Sequence, residues 1–178
     1  MPFPKKSTDV FVALTLEGGT TVRNQGIDQI RRLTDAGLVL DIVEGRVGHA
    51  EYMERMASAW LTWSPEGLGW DCFRHYEAPL VYTVPVINNP TIVRYEPLQD
   101  GVHAIYYQPD DPGSRGDKIR SALADKDRLR LIAQTARSHV LKFHVRPRPL
   151  ADALLKIGLG FEEPSSGLLL APVNNFDH

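Results

Sequence analysis

The stretch Ala59-Trp-Leu-Thr-Trp-Ser-Pro-Glu-Gly-Leu-Gly-Trp-Asp-Cys-Phe-Arg-His-Tyr-Glu-Ala78, followed by Val84-Pro-Val-Ile-Asn88, decides the fold. Its first five residues are apolar or β-branched, as a buried strand requires. Ser64–Trp70 is a loop punctuated by Pro65, Gly67 and Gly69. A helix is expected from about Cys72 to Tyr82, and Val84–Asn88 is again strand-like. A strand, a loop, a helix and a second strand of similar character make a βαβ unit, whose strands run parallel.

The same alternation extends in both directions. Upstream, Asp9-Val-Phe-Val-Ala-Leu-Thr reads as a strand, and Ile27, Ile30, Leu33 and Thr34 recur at helical spacing up to Gly37. Leu38–Val43 is nearly continuous apolar sequence, which predicts a strand covered on both faces. His49–Ser58 is an amphipathic helix. Downstream, His103–Tyr107 reads as a fifth strand, and Lys118–Leu123 and Lys126–Phe143 as helices. The expected architecture is a single Rossmann-like, doubly wound parallel α/β sheet over residues 8–146. A short N-terminal arm, 1–7, precedes it. An extended C-terminal tail, 147–178, begins at the helix-breaking Arg146-Pro-Arg-Pro.

Composition agrees with one globular domain. The 178 residues are 43% hydrophobic and 24% charged, with a formal charge of −2. That balance argues against a broad nucleic-acid-binding surface. The one cysteine, Cys72, cannot form an intramolecular disulfide, and the six histidines show no ligand spacing. No cofactor or metal site is expected. No run reaches the length of a membrane span, and a cytoplasmic setting is expected, with peripheral attachment to a membrane complex as one form of it.

The chemistry-bearing residues lie in the opening stretch. In a doubly wound sheet, ligands bind outside the carboxyl ends of the strands. Gly67 and Gly69 fall in the loop there, ahead of a helix N-terminus that favours phosphate. Arg74 offers a bidentate phosphate contact, and Glu77, one turn on, an acceptor for ribose hydroxyls. The plainer reading is a tight strand-to-helix turn in which Arg74 pairs with a neighbouring carboxylate. Asp71 and His75, four apart, read as a local ion pair, Cys72 as a small buried residue, and Trp60 and Trp63 as core, with Trp70 beside the loop. Lys5 and Lys6 read as a solvated terminus. The run Arg128, Arg130, Arg137, Lys142, Arg146 and Arg148 reads as a solvated helix face.

Glu66-Gly-Leu-Gly-Trp-Asp-Cys-Phe-Arg-His-Tyr-Glu-Ala, then Val84-Pro-Val-Ile-Asn and Asp100-Gly-Val-His-Ala-Ile-Tyr-Tyr, resembles the donor-binding region of GT-B glycosyltransferases, in particular the family-1/4-like and exostosin-like branches. The resemblance runs from about Thr8 to Val145. It implies the nucleotide-sugar-binding half of a two-domain enzyme. By that resemblance Glu77 stands at the ribose-contacting glutamate, Arg74 near the diphosphate, and Gly67 and Gly69 under the donor. Two positions differ from the family pattern. Pro79 falls inside the expected helix. Tyr82 or Thr83 stands in the turn before the fourth strand, where the family has a small residue, so a side chain is expected to narrow the donor pocket there.

Two functions follow as expectations. The first is a non-catalytic, glycosyltransferase-derived subunit that docks on other protein subunits through its C-terminal tail and N-terminal arm. Its setting would be a larger assembly, peripheral membrane complexes included, and not nucleic acid. The tail's ten large apolar residues, from Leu154 to Phe176, support that reading. The alternative is a nucleotide-sugar-dependent donor domain whose acceptor half belongs to another chain.

Overall fold

The computed structural model describes residues 2–14, 21–43, 45–111 and 113–145. Five strands form one parallel sheet: β1 (Thr8–Ala13), β2 (Leu40–Val43), β3 (Ala59–Trp63), β4 (Val84–Asn88) and β5 (Ile105–Tyr107), in the order β2-β1-β3-β4-β5. Five α-helices are described: α1 (Thr21–Arg31, continued by a 3-10 turn over Arg32–Thr34), α2 (His49–Ala57), α3 (Arg74–Leu80), α4 (Ser114–Leu123) and α5 (Lys126–Phe143). They belong to one compact unit, Met1–His144; a second unit covers Val145–His178. The expected tail, 147–178, lies outside the described residues.

Alternation along β1 builds the two layers. Val10 and Val12 face one side, where they meet Ile27, Ile30 and Leu33 from α1 and its 3-10 turn, Ile119 of α4, and Leu129 and Ile132 of α5. Phe11 faces the other side with Met56 of α2 and Ala78 of α3. A period of two in the strand therefore meets helices on both faces. β3 and β4 match their expected limits residue for residue, and β4 is buried throughout. β2 departs from expectation. Its apolar run suggested cover on both faces, yet it is an edge strand with three half-buried residues, and Val39 beside it is 54% exposed.

Several local expectations need correction. Lys6 is no solvated terminus: its ammonium donates to the Ala57 and Tyr82 carbonyls at 2.8 Å each and to Thr83 Oγ1 at 3.2 Å. Burial, and the nearby Arg130 charge, pull its pKa down to about 7. Phe3 lies beside the rings of Trp60 and Tyr82, and the Arg130 guanidinium covers it at 4.2 Å. The arm thus packs on its own domain. Arg130 and Arg137 are not simply solvated, since Arg137 lies 4.9 Å over the Tyr82 ring and donates to the Leu80 carbonyl.

Of the two residues expected in the turn before β4, Tyr82 is the one in the left-handed conformation, φ 58°. It does not plug a donor pocket, however. The turn lies at the amino end of β4, against Phe3, Lys6 and Arg137. The loop of Gly67 and Gly69 lies beyond the carboxyl end of β3. Pro79 sits inside α3, buried, one residue before the helix ends.

Candidate functional site

β1 and β3 are neighbours, and the chain winds outward from them in opposite directions, so the switch point of the sheet lies at their carboxyl ends. The loop that follows β3 is fixed there by the last residue of β4. The Glu66 N–H donates to Asn88 Oδ1 at 2.8 Å, and Asn88 Nδ2 donates back to Glu66 Oε2 at 3.0 Å. Trp70 Nε1 donates to the Asn88 carbonyl at 2.9 Å and is buried. Asn88 is itself 1% exposed, so these bonds are made away from water, where leaving such groups unpaired would be costly.

The four residues singled out from the sequence fall differently around this loop. Gly67 is buried, and a Cβ placed on it would come within 2.7 Å of Arg23 Nη2. Its missing side chain makes room for that guanidinium. Arg23, from the first turn of α1, donates through Nε to the Glu66 carbonyl at 2.8 Å. Gly69 is exposed, and its carbonyl takes the Gly67 N–H at 2.8 Å. α3 begins at Arg74, not Cys72. The N–H groups of His75, Tyr76 and Glu77 already go to the Cys72 and Phe73 carbonyls. Any anion here is therefore met by side chains rather than by a helix end.

Arg74 and Glu77 are brought together through a third residue. Tyr52 of α2 donates its hydroxyl proton to Glu77 Oε2 at 2.9 Å, and the Arg74 charge acts on the same phenol. Burial holds the Tyr52 phenol well above its ordinary pKa. Arg74 Nε and Nη1 are buried and have no hydrogen-bond partner among the described residues. Burial and the Arg74 charge pull Arg23 down, with Cys72 and Glu66 partly offsetting them.

His75 lies at the centre of this cluster, 0% exposed. Its Nε2 is 3.0 Å from the Ser64 carbonyl, and Nδ1 is 4.0 Å from Asp71 Oδ1. Burial is the main force that pushes its pKa down to about 3, and the charges of Arg74, Arg94 and Arg23 act in the same direction. The expected Asp71–His75 ion pair is thus a neutral imidazole beside a carboxylate. Arg94, from the loop after β4, lies 4.9 Å over the Trp70 ring. Cys72 is half-buried, its Sγ 3.7 Å from Ser64 Oγ and from the Pro65 carbonyl.

A further guanidinium, Arg115 of α4, lies 4.7 Å over the Tyr107 ring and 5.2 Å over Trp63. It is 2% exposed and donates through Nη1 to Gln29 Oε1, while its Nε has no partner among the described residues. Arg23, Tyr52, Asn88, Arg94 and Arg115 were not singled out from the sequence. One signal was available: Arg23 follows the glycine-bearing stretch Glu17-Gly-Gly-Thr-Thr in the sequence. Among the described residues, no group of three His, Cys, Asp or Glu side chains is placed to hold a metal ion, and no helix is long and apolar enough to cross a membrane.

No family model matches the sequence, and no curated protein matches it. Among solved structures, the chain is similar to a sucrose-phosphate synthase from Thermosynechococcus elongatus, with a TM-score of 0.57 and 16% identity. The match covers 86% of this chain and 46% of that one, so the chain spans about half the length of that neighbour. The likeness is one of fold: a Rossmann-like α/β domain similar to a domain of a GT-B glycosyltransferase. It does not distinguish the branches that the sequence suggested.

Proposed function

We propose that this domain binds the diphosphate of a nucleotide sugar at the carboxyl ends of β1 and β3, as the donor half of a glycosyltransferase whose acceptor half lies outside the residues described. One observation carries the reading. Arg74 buries two N–H groups without partners among the described residues, in a cluster where Arg23 and Arg94 also bring positive charge to bear on His75. Unpaired buried donors cost about 1–3 kcal/mol, and an anion relieves that cost. Guanidinium groups match phosphate oxygens in a planar, two-point fashion. In this reading Glu77, which accepts the Tyr52 hydroxyl in the unliganded domain, accepts ribose hydroxyls in its place. In the transfer itself, a hydroxyl of the acceptor bonds to the sugar carbon and gives up its proton to a base on the acceptor side, while the bond from that carbon to the phosphate oxygen breaks and negative charge grows on the departing diphosphate. Fixed guanidinium groups stabilise that charge as it develops.

Thermal unfolding in the presence of uridine diphosphate glucose and guanosine diphosphate mannose tests this. At about a hundred-fold excess over its dissociation constant, a ligand stabilises by about 2.7 kcal/mol. The melting temperature is expected to rise with at least one donor, and Arg74→Gln is expected to abolish the rise. No rise with either donor, or an equal rise in the variant, overturns the reading. The docking subunit would then be the reading left, and it rests on residues 147–178.

A further inference from the structure

A cavity of about 170 Å³ lies at the other end of the sheet from the Arg74 cluster. It is an open pocket lined by α4, α5 and the turn that leads into the amino end of β5. Its floor is apolar: Leu129 and Ile132 of α5 and Ile105, the first residue of β5, all 7% exposed or less. Its rim is charged with both signs, Lys118 and Arg128 against Asp100 and Asp125.

None of these four charges joins an ion pair among the described residues. Each carboxylate uses one oxygen on the backbone. Asp100 Oδ1 accepts from the Tyr106 N–H at 2.8 Å, and Asp125 Oδ1 accepts from the Arg128 N–H at 2.9 Å. Those bonds hold both carboxylates in place and leave a second oxygen on each. The wall beside them is a closed turn. Gly101 N–H donates to the Ala104 carbonyl at 2.8 Å and His103 N–H to the Gln99 carbonyl at 2.9 Å. The Arg128 guanidinium lies over Gly101, where an added Cβ would stand 3.4 Å from Nη2.

We propose that this cavity binds an α-amino acid with a branched aliphatic side chain. A ligand with one charge would meet two rim groups of its own sign. A zwitterion satisfies both: its carboxylate faces Lys118 and Arg128, and its ammonium faces Asp100 and Asp125. The apolar body then rests on Ile105, Leu129 and Ile132. The volume suits such a body, since an apolar cavity of roughly 150 Å³ accommodates benzene. The inference stands apart from the nucleotide reading, because it uses other residues at the opposite end of the strands.

The test is a titration of the full chain with L-leucine, followed through the Ile105 and Ile132 methyl resonances. Saturable shifts of both are expected. Isocaproate (4-methylpentanoate) and isoamylamine (3-methylbutylamine) each keep one charge, and both are expected to bind about ten-fold more weakly or worse. Asp100→Asn, which retains the acceptor for Tyr106, and Arg128→Gln should each weaken leucine by a similar factor, with the remaining resonances in place. If Arg128→Gln disturbs resonances throughout the spectrum, Lys118→Gln takes its place with the same expectation. Shifts that fail to saturate, equal binding of either single-charge analogue, or leucine affinity unchanged in these variants overturns the proposal.

Discussion

Gly26→Ala is expected to destabilise the domain by about 3 kcal/mol, although alanine is the better helix former by roughly 1 kcal/mol. Gly26 is buried in α1, where a Cβ would stand 2.4 Å from Trp63 Cζ2 and 2.6 Å from Trp63 Cη2, with Arg115 Cζ at 3.0 Å. None of these atoms can yield cheaply. The Trp63 ring is fully buried, its Nε1 donates to the Tyr107 hydroxyl at 3.0 Å, and Arg115 is stacked over both rings. Moving the indole breaks that bond and opens the stack, so overpacking outweighs the gain in helix propensity. Gly116 of α4 provides the contrast. A Cβ there meets the mobile end of Arg120 at 3.3 Å and Leu33 Cδ2 at 3.6 Å. Gly116→Ala is expected to be neutral or to stabilise by up to about 1 kcal/mol. Urea unfolding of the two variants beside the parent decides the matter. Equal effects at both positions would show that Trp63 and Arg115 shift freely.

The order of strands and helices was legible because local chemistry determines it. β3 and β4 are five-residue segments, mostly apolar, bounded by loop residues, and α5 carries its apolar period from Leu129 to Val140. The turn before β4 was expected to hold Tyr82 or Thr83 in place of a small residue, and Tyr82 is the one with positive φ. What it faces could not be foreseen. Phe3, Lys6 and Arg137 come from both ends of the domain to meet it. The first turns of α1 were missed for a related reason: Thr21–Gln25 holds one apolar residue, Val22, and the apolar period starts only at Ile27.

The candidate site was half legible. Arg74 and Glu77 stood out by type and spacing. Their link runs through Tyr52, 25 residues before Glu77, and the Arg23 that fills the space over Gly67 bonds to a carbonyl 43 residues away. Such partnerships are products of topology: the switch point brings the first turn of α1 and the loop after β3 to one place. Lys6 shows the same limit. A lysine in a polar arm reads as solvated until the fold supplies acceptors from Ala57, Tyr82 and Thr83.

Acid is expected to weaken the fold through His75. Burial and the surrounding guanidinium groups keep the imidazole neutral in the folded chain down to about pH 3. The unfolded chain protonates it near its ordinary value of about 6.5. Between those limits the unfolded state binds more protons, so stability rises with pH across the window and is lost as pH falls from about 6.5 towards 3. By pH 4 the loss from this one group amounts to roughly 3 kcal/mol, at 1.36 kcal/mol per pH unit. Asp71, at 4.0 Å from Nδ1, offers the incoming proton a partner, but it is half exposed, while the charges of Arg74, Arg94 and Arg23 oppose protonation from within the cluster. His75→Gln, whose side-chain amide can donate to the Ser64 carbonyl as Nε2 does, removes the titrating group and keeps that bond within reach. Urea midpoints measured from pH 7 to pH 4 should therefore fall more steeply in the parent than in the variant, and the two lines should converge as the pH drops. Parallel lines would mean that the folded chain takes up the His75 proton as readily as the unfolded one, and that the positive field proposed to attract a diphosphate is weaker than its three guanidinium groups imply.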